Sequence, residues 1–135
     1  MVEDFWLPRS GPLPRPESLE QARQVLAHEA FPAPKVSRVS LEASEFTSIC
    51  PRSGQPDFGR VRITYVPKER CLESKSVKFY LWAYRDEPAF CEELTARIAD
   101  DIVAAIQPQW LEVTLEQTPR GGIGIVVTAE RGRPL

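Results

Sequence analysis

Phe90, Leu94, Ile98, Ile102 and Ile106 recur at every fourth position, the spacing of one face of a helix. The pattern predicts a helix from about Pro88, where proline in the first turn forfeits no intrahelical bond, closed by Pro108. Just upstream, Val77, Tyr80, Leu81 and Tyr84 share the face of an earlier helix. Alternation replaces this period on both sides. In "RVRITYVP", Val61, Ile63 and Tyr65 oppose Arg62 and Thr64, and Pro67 ends the strand. "KVSRVSLEASEF" alternates with one irregularity around Val36, Val39 and Leu41, while "WLEVTLEQT" and "GIGIVVTAE" give two more strands joined through Pro119, Gly121 and Gly122. Nearer the N-terminus, Leu19, Ala22, Val25 and Leu26 mark one face of a short helix over Glu17 to Glu29, which Pro32 and Pro34 stop. His28 near its end suits the helix dipole better than catalysis. Before it, Pro8, Pro12, Pro14 and Pro16 predict a non-regular arm.

The implied order is an arm with a helix (residues 1–34), then strand, strand, helix, helix, strand, strand (residues 35–135). This is an α+β fold in which two helices cover one face of a four-stranded, largely antiparallel sheet. A length of 135 residues fits one ordinary core. The second face and both sheet edges stay open, and pairing edges between copies into a multi-subunit barrel would protect them. A homo-oligomer is the expectation.

A formal net charge of −2 offers no bulk field for nucleic acid or an anionic membrane. Apolar runs such as "IGIVV" fall far short of the roughly 20 residues that span a bilayer. The acidic, proline-broken "MVEDFWLPRSGPLPRPES" resembles neither a signal nor a transit peptide, so a cytoplasmic protein is expected. Three irregularly spaced cysteines and a single histidine make neither a disulfide framework nor a zinc site. No metal is expected.

Chemistry enters with "FTSICPRSGQPDFG", where Cys50 precedes Pro51, Ser53, Gly54 and Pro56, and Asp57 follows seven residues on. A thiol in a stretch of turn formers is a candidate nucleophile, although taken alone it reads more readily as a buried or half-buried free cysteine. "ESKSVKFY", Glu73 to Tyr80, is similar to the signature of the QueF family of nitrile reductases, which act on 7-cyano-7-deazaguanine in queuosine biosynthesis. The resemblance extends over "FTSICPRSGQPDFGRVRITYVP", "SVKFYLWAYRDEPAFCEEL" and "TPRGGIGI". It implies the tunnelling fold, ββααββ, with active sites between the subunits of a homo-oligomeric barrel.

By the same resemblance, Cys50 is the nucleophile and Asp57 its acid–base partner, and two NADPH reduce the nitrile to a primary amine through a covalent thioimide. Glu92, in the first turn of the long helix, would anchor the deazapurine ring, with Glu73 and Ser74 also on the substrate side. Lys75, Ser76 and Lys78 would hold anionic groups of NADPH near a helix start, and Arg120 its 2′-phosphate. Without the resemblance, Glu73, Lys75 and Lys78 read as solvated helix charges, the glycines after Arg120 as a turn, and Glu93 as surface. The family's usual F-H-E is Phe90-Cys91-Glu92 here, so a weakly donating thiol stands at the place of an imidazole. Cys71 reads as packing. A QueF-like amidine-forming enzyme, in which an amine resolves the same thioimide, is the alternative; a non-catalytic deazapurine binder is a more distant one. The intact "ESKSVKFY" favours reduction, because an amidine-forming enzyme has no use for a cofactor clamp.

Overall fold

In the computed structural model, residues 6–133 are described; the first five residues of the expected arm lie outside that range. Helix α1 runs Leu19–Glu29, capped by Ser18, whose hydroxyl accepts from Gln21 N. A two-residue strand β1 (Phe31–Pro32) pairs with β4 (Arg70–Cys71). The main strands are β2 (Val39–Ile49), β3 (Pro56–Val66), β5 (Trp110–Arg120) and β6 (Ile123–Gly132), with α2 (Ser74–Trp82) and α3 (Cys91–Ile106) between β4 and β5. The sheet order is β2-β3-β5-β6, antiparallel throughout, which matches the expected four-stranded ββααββ core.

Strict alternation in β3 places Asp57, Gly59, Val61, Ile63 and Tyr65 on the buried face and Phe58, Arg60 and Arg62 on the open one. Against the buried face, α3 covers β5 and β6 and α2 covers β2; α1 packs on both helices. Leu94, Ile98 and Ile102 of α3 meet Ile63, Leu111 and Val113 of the sheet in one cluster that also takes in Leu7, Val25 and Leu26. Full burial of each such side chain contributes about 1.5–3 kcal/mol. The helix of the arm therefore shares the core of the remainder.

Polar groups join the helix layer. Asp101 Oδ2 of α3 accepts from Tyr80 Oη at 2.5 Å and from Arg23 Nε at 2.9 Å, so one carboxylate links all three helices. Arg70 donates to the carbonyls of Ala27, Ala30 and Ala105, satisfying orphan acceptors at the ends of α1 and α3. The arm docks on this layer: Leu7 is buried and Trp6 stacks on His28 at 4.4 Å between ring centroids.

Two strands begin or continue where turn chemistry hid them. β2 runs on to Ile49, and β3 begins at Pro56, a first-residue position where proline costs no ladder bond. β2 begins only at Val39, leaving Val36 outside it, and its register shifts at a bulge between Ala43 and Phe46 that the apolar pattern did not mark.

Candidate active site

The β2–β3 hairpin positions the thiol and the carboxylate. Ile49 pairs with Pro56, Cys50 N donates to Gln55 O at 2.9 Å, and Gly54 N returns to Cys50 O at 2.9 Å, with Gly54 at φ +72°. The tight loop folds Ser53 back over the thiol, and Ser53 N approaches Cys50 Sγ at 3.5 Å. The Ser53 hydroxyl, then the Ser53 and Arg52 amides, pull the Cys50 thiol below its ordinary value, against the opposing charge of Asp57. Donors aimed at sulfur favour the thiolate, the nucleophilic form. Cys50 is half-buried, so the sulfur is reachable.

Asp57 stands on the buried face of β3, opposite Ser48, with its side chain only 10% exposed. Its Oδ1 accepts from Arg120 Nη1 at 2.7 Å. Arg120 ends β5 at a two-residue turn, Gly121-Gly122, with φ of +59° and +82°; positive φ at both positions is what such a hairpin requires. The glycines serve the turn, and Arg120 faces the Asp57 carboxylate where a cofactor phosphate was expected.

A second strand edge brings in α3. Ile49 N donates to Glu87 O at 3.1 Å and Ala89 N donates to Ile49 O at 3.2 Å, so the segment entering α3 runs beside the end of β2. The first turn of α3 thereby starts at the β2 end that carries the Cys50 loop, and Asp57 acts on the Cys91 thiol. Glu92 is exposed and makes no hydrogen bond or ion pair among the described residues, leaving its carboxylate open to a ligand. Glu93, expected as plain surface, is exposed and also caps the helix, its Oε1 accepting from Phe90 N at 3.3 Å. Cys91 is buried, with Sγ 3.9 Å from Leu115 O. Burial, then Glu92 and Asp57, push its thiol up to about 11, so it remains protonated and cannot exchange protons near neutrality as an imidazole would. Cys50, Cys71 and Cys91 are all free thiols.

The "ESKS" segment divides its residues differently from expectation. Glu73 is the N-cap of α2: its Oε2 accepts from Lys75 N at 2.7 Å and its Oε1 from Ser76 N at 2.9 Å. Both oxygens are engaged, so this geometry gives no support to a substrate role. Ser76 is fully buried and its hydroxyl donates to Glu73 O at 2.7 Å, which corrects its expected contact with the cofactor. With 100° per residue, Ser76 turns inward while Ser74 and Lys78, four apart, share an outer face. Lys75 is diverted to the arm, its Nζ donating to Pro8 O at 2.5 Å.

Ser74 and Lys78 line a groove of about 610 Å³ between α2 and the bulged part of β2, with Trp82 and Arg85. Glu42, also in its wall, is held by Arg60 and Arg62. Lys78 and Arg85 have no partner among the described residues, so two cations face open space beside an aromatic ring. That donor set fits a dinucleotide, with cations for phosphates and Trp82 as an apolar wall. Arg85 is not singled out by "AYRDEP" on its own; its place four residues past Leu81 and seven past Lys78, the spacing of one helix face, was the available signal. Ser53 and Gln55 escaped as ordinary loop residues. No cluster of three or more metal-ligating side chains occurs among the described residues.

Residues 56–134 match the family model described as QueF-like protein. The chain belongs to the QueF family. It is 52% identical over 107 residues to the NADPH-dependent 7-cyano-7-deazaguanine reductase of Anaeromyxobacter dehalogenans (strain 2CP-C), covering 77% of this chain and 88% of that protein. To the protein of the same name from Alkalilimnicola ehrlichii it is 46% identical over 109 residues, 78% of this chain and 84% of the relative. Among solved structures, the apo form of the archaeosine synthase QueF-Like superposes with a TM-score of 0.70 at 27% identity, over 76% of this chain and all of that one. This likeness extends the QueF fold to the α+β core described above.

Proposed function

We propose that this chain is an NADPH-dependent nitrile reductase that converts 7-cyano-7-deazaguanine to the 7-aminomethyl compound, through a thioimide on Cys50. The observation that carries the reading is the convergence of an activated thiol, a buried carboxylate and an open helix-start carboxylate at one end of the β2–β3 hairpin. About half of the matched positions are also identical to those of relatives that carry the reductase name.

Cys50, held by the Ser53 turn, attacks the nitrile carbon. Asp57 takes the thiol proton and passes a proton to the nitrile nitrogen as charge builds there. Glu92 accepts from the ring N–H and exocyclic amino group and so orients the nitrile toward the sulfur. Lys78, Arg85 and Ser74 hold the anionic groups of NADPH, which supplies hydride when bound. The groove reaches Thr47, three residues from Cys50, or about 10 Å along an extended strand. A nicotinamide at one end of a dinucleotide spans that distance readily. With Cys91 protonated, Asp57 and solvent carry the proton transfers that follow hydride addition.

The chemistry sits in residues 35–135, and the arm clasps α2 through Lys75. β2 and β6 are open edges of the sheet, and Phe58, Ile123 and Val126 expose apolar surface at 55%, 71% and 64%. These features support edge-to-edge assembly into a barrel that places a neighbouring subunit over the exposed Glu92. No helix among the described residues is long and apolar enough to cross a membrane, and the formal charge of −2 supports neither membrane nor nucleic-acid contact. A cytoplasmic metabolic enzyme is the setting this reading implies.

Nitrile and NADPH incubated with the protein should give an amine, with two NADPH consumed per product. An amidine formed only when an amine is supplied, with NADPH untouched, would instead identify the alternative that shares the thioimide.

A further inference from the structure

We infer that Arg120 is the positioning residue for Asp57 in thioimide formation, acting before any cofactor is bound. The inference rests on the proposed roles of Cys50 and Asp57. One face of the guanidinium donates Nη1–H to Asp57 Oδ1 at 2.7 Å, and Nη2–H goes to Gln55 Oε1 at 3.1 Å. Gln55 is also the residue whose carbonyl accepts from Cys50 N at 2.9 Å. A single planar fork therefore ties the carboxylate on β3 to the loop that carries the thiol, across a sheet position where β5 ends.

The consequence is orientational. Asp57 Oδ1 is occupied and Oδ2 has no partner among the described residues, so the carboxylate presents one defined oxygen for proton exchange. Among the described residues, the charged or titratable groups that act on Asp57 or are acted on by it include Arg120 from β5, Cys50 from the hairpin loop, and Cys91 from α3. Arg120 alone among them is cationic. In the step itself, the Cys50 S–H bond breaks and its proton goes to Asp57 Oδ2. The sulfur forms a bond to the nitrile carbon, and one C–N π pair moves to nitrogen, which takes the proton back. Nothing leaves and nothing is oxidised, so the step needs no cofactor. A carboxylate free to rotate would offer a correctly aimed oxygen only part of the time, which slows both transfers.

A role confined to cofactor phosphate predicts the opposite dependence, and the two separate cleanly. Adduct formation is followed by quenched-flow intact-protein mass spectrometry with the nitrile and no NADPH, for the parent, Arg120→Gln and Arg120→Lys. Arg120→Gln should slow the step at saturating nitrile by about tenfold or more, with half-saturation by nitrile changed less than about twofold. Arg120→Lys keeps the charge but not the fork, and should fall between the two. A parental rate in Arg120→Gln, with only the KM for NADPH raised, would overturn the inference and leave Cys50 and Asp57 standing. No adduct in the parent would remove the proposed function and the inference together. If Arg120→Gln does not fold, Arg120→Lys decides, and a parental rate there overturns the positioning role.

Discussion

Replacing Gly59 with alanine should damage the site through the sheet. Gly59 lies two residues past Asp57 and pairs with Gln117 of β5. A Cβ built there would stand 2.7 Å from Glu116 O and 3.3 Å from Gln117 Cα. Both contacts are backbone, so no side-chain rotation relieves them, and β3 and β5 must part by several tenths of an ångström. Overpacking of this kind costs about 1–3 kcal/mol. With a urea m-value of about 2 kcal/mol/M, a loss of about 2 kcal/mol lowers the midpoint by about 1 M, measured at fixed protomer concentration. Asp57 rides on β3 and Arg120 on β5, so the same separation loosens their contact. Adduct formation should therefore fall by about tenfold in conditions where the variant is fully folded. A midpoint within about 0.3 M of the parent, together with an unchanged rate, would refute the reasoning.

Two further outcomes follow from the site. Native alkylation across pH should label Cys50 first, while Cys71 and Cys91 react only after unfolding; Ser53→Ala removes the foremost cause of the lowered Cys50 value and should move its labelling profile to higher pH. Labelling of native Cys91 ahead of Cys50 would contradict this. Lys78→Ala and Arg85→Ala should each raise the KM for NADPH by about 5- to 50-fold, as charge-assisted phosphate contacts do. Their effect should shrink as salt rises, while cofactor-free adduct formation should stay at the parental rate; a slowed adduct would place the groove elsewhere in the reaction.

The helices and strands were legible because their periods are clean, as the every-fourth apolar positions of α3 and the alternation of β3 show. Strand ends were less so: "CPRSGQP" carries turn residues up to the point where β3 begins, and Pro56 looks like a breaker although it is a tolerated first residue. The pairing of the Cys50 thiol with the Asp57 carboxylate was legible through a local motif, because both lie on one short hairpin. The division of labour inside "ESKS" was not, because Glu73 as a cap and Glu73 as a ligand look identical in one dimension. Only the observed bonds to Lys75 N and Ser76 N separate them. The contact of Arg120 with Asp57 is invisible in one dimension, because the two lie 63 residues apart and meet only through the packing of β3 against β5.

The most direct test of thioimide chemistry at Cys50 weighs the intact protein after exposure to the nitrile, then adds NADPH. One whole nitrile mass should be gained per active subunit, because addition expels no leaving group. NADPH should then discharge it, returning the parental mass and releasing amine at two NADPH per product. Cys50→Ala should gain no mass under the same conditions. An adduct that persists in Cys50→Ala, or one in the parent that NADPH leaves in place, would contradict reduction through Cys50.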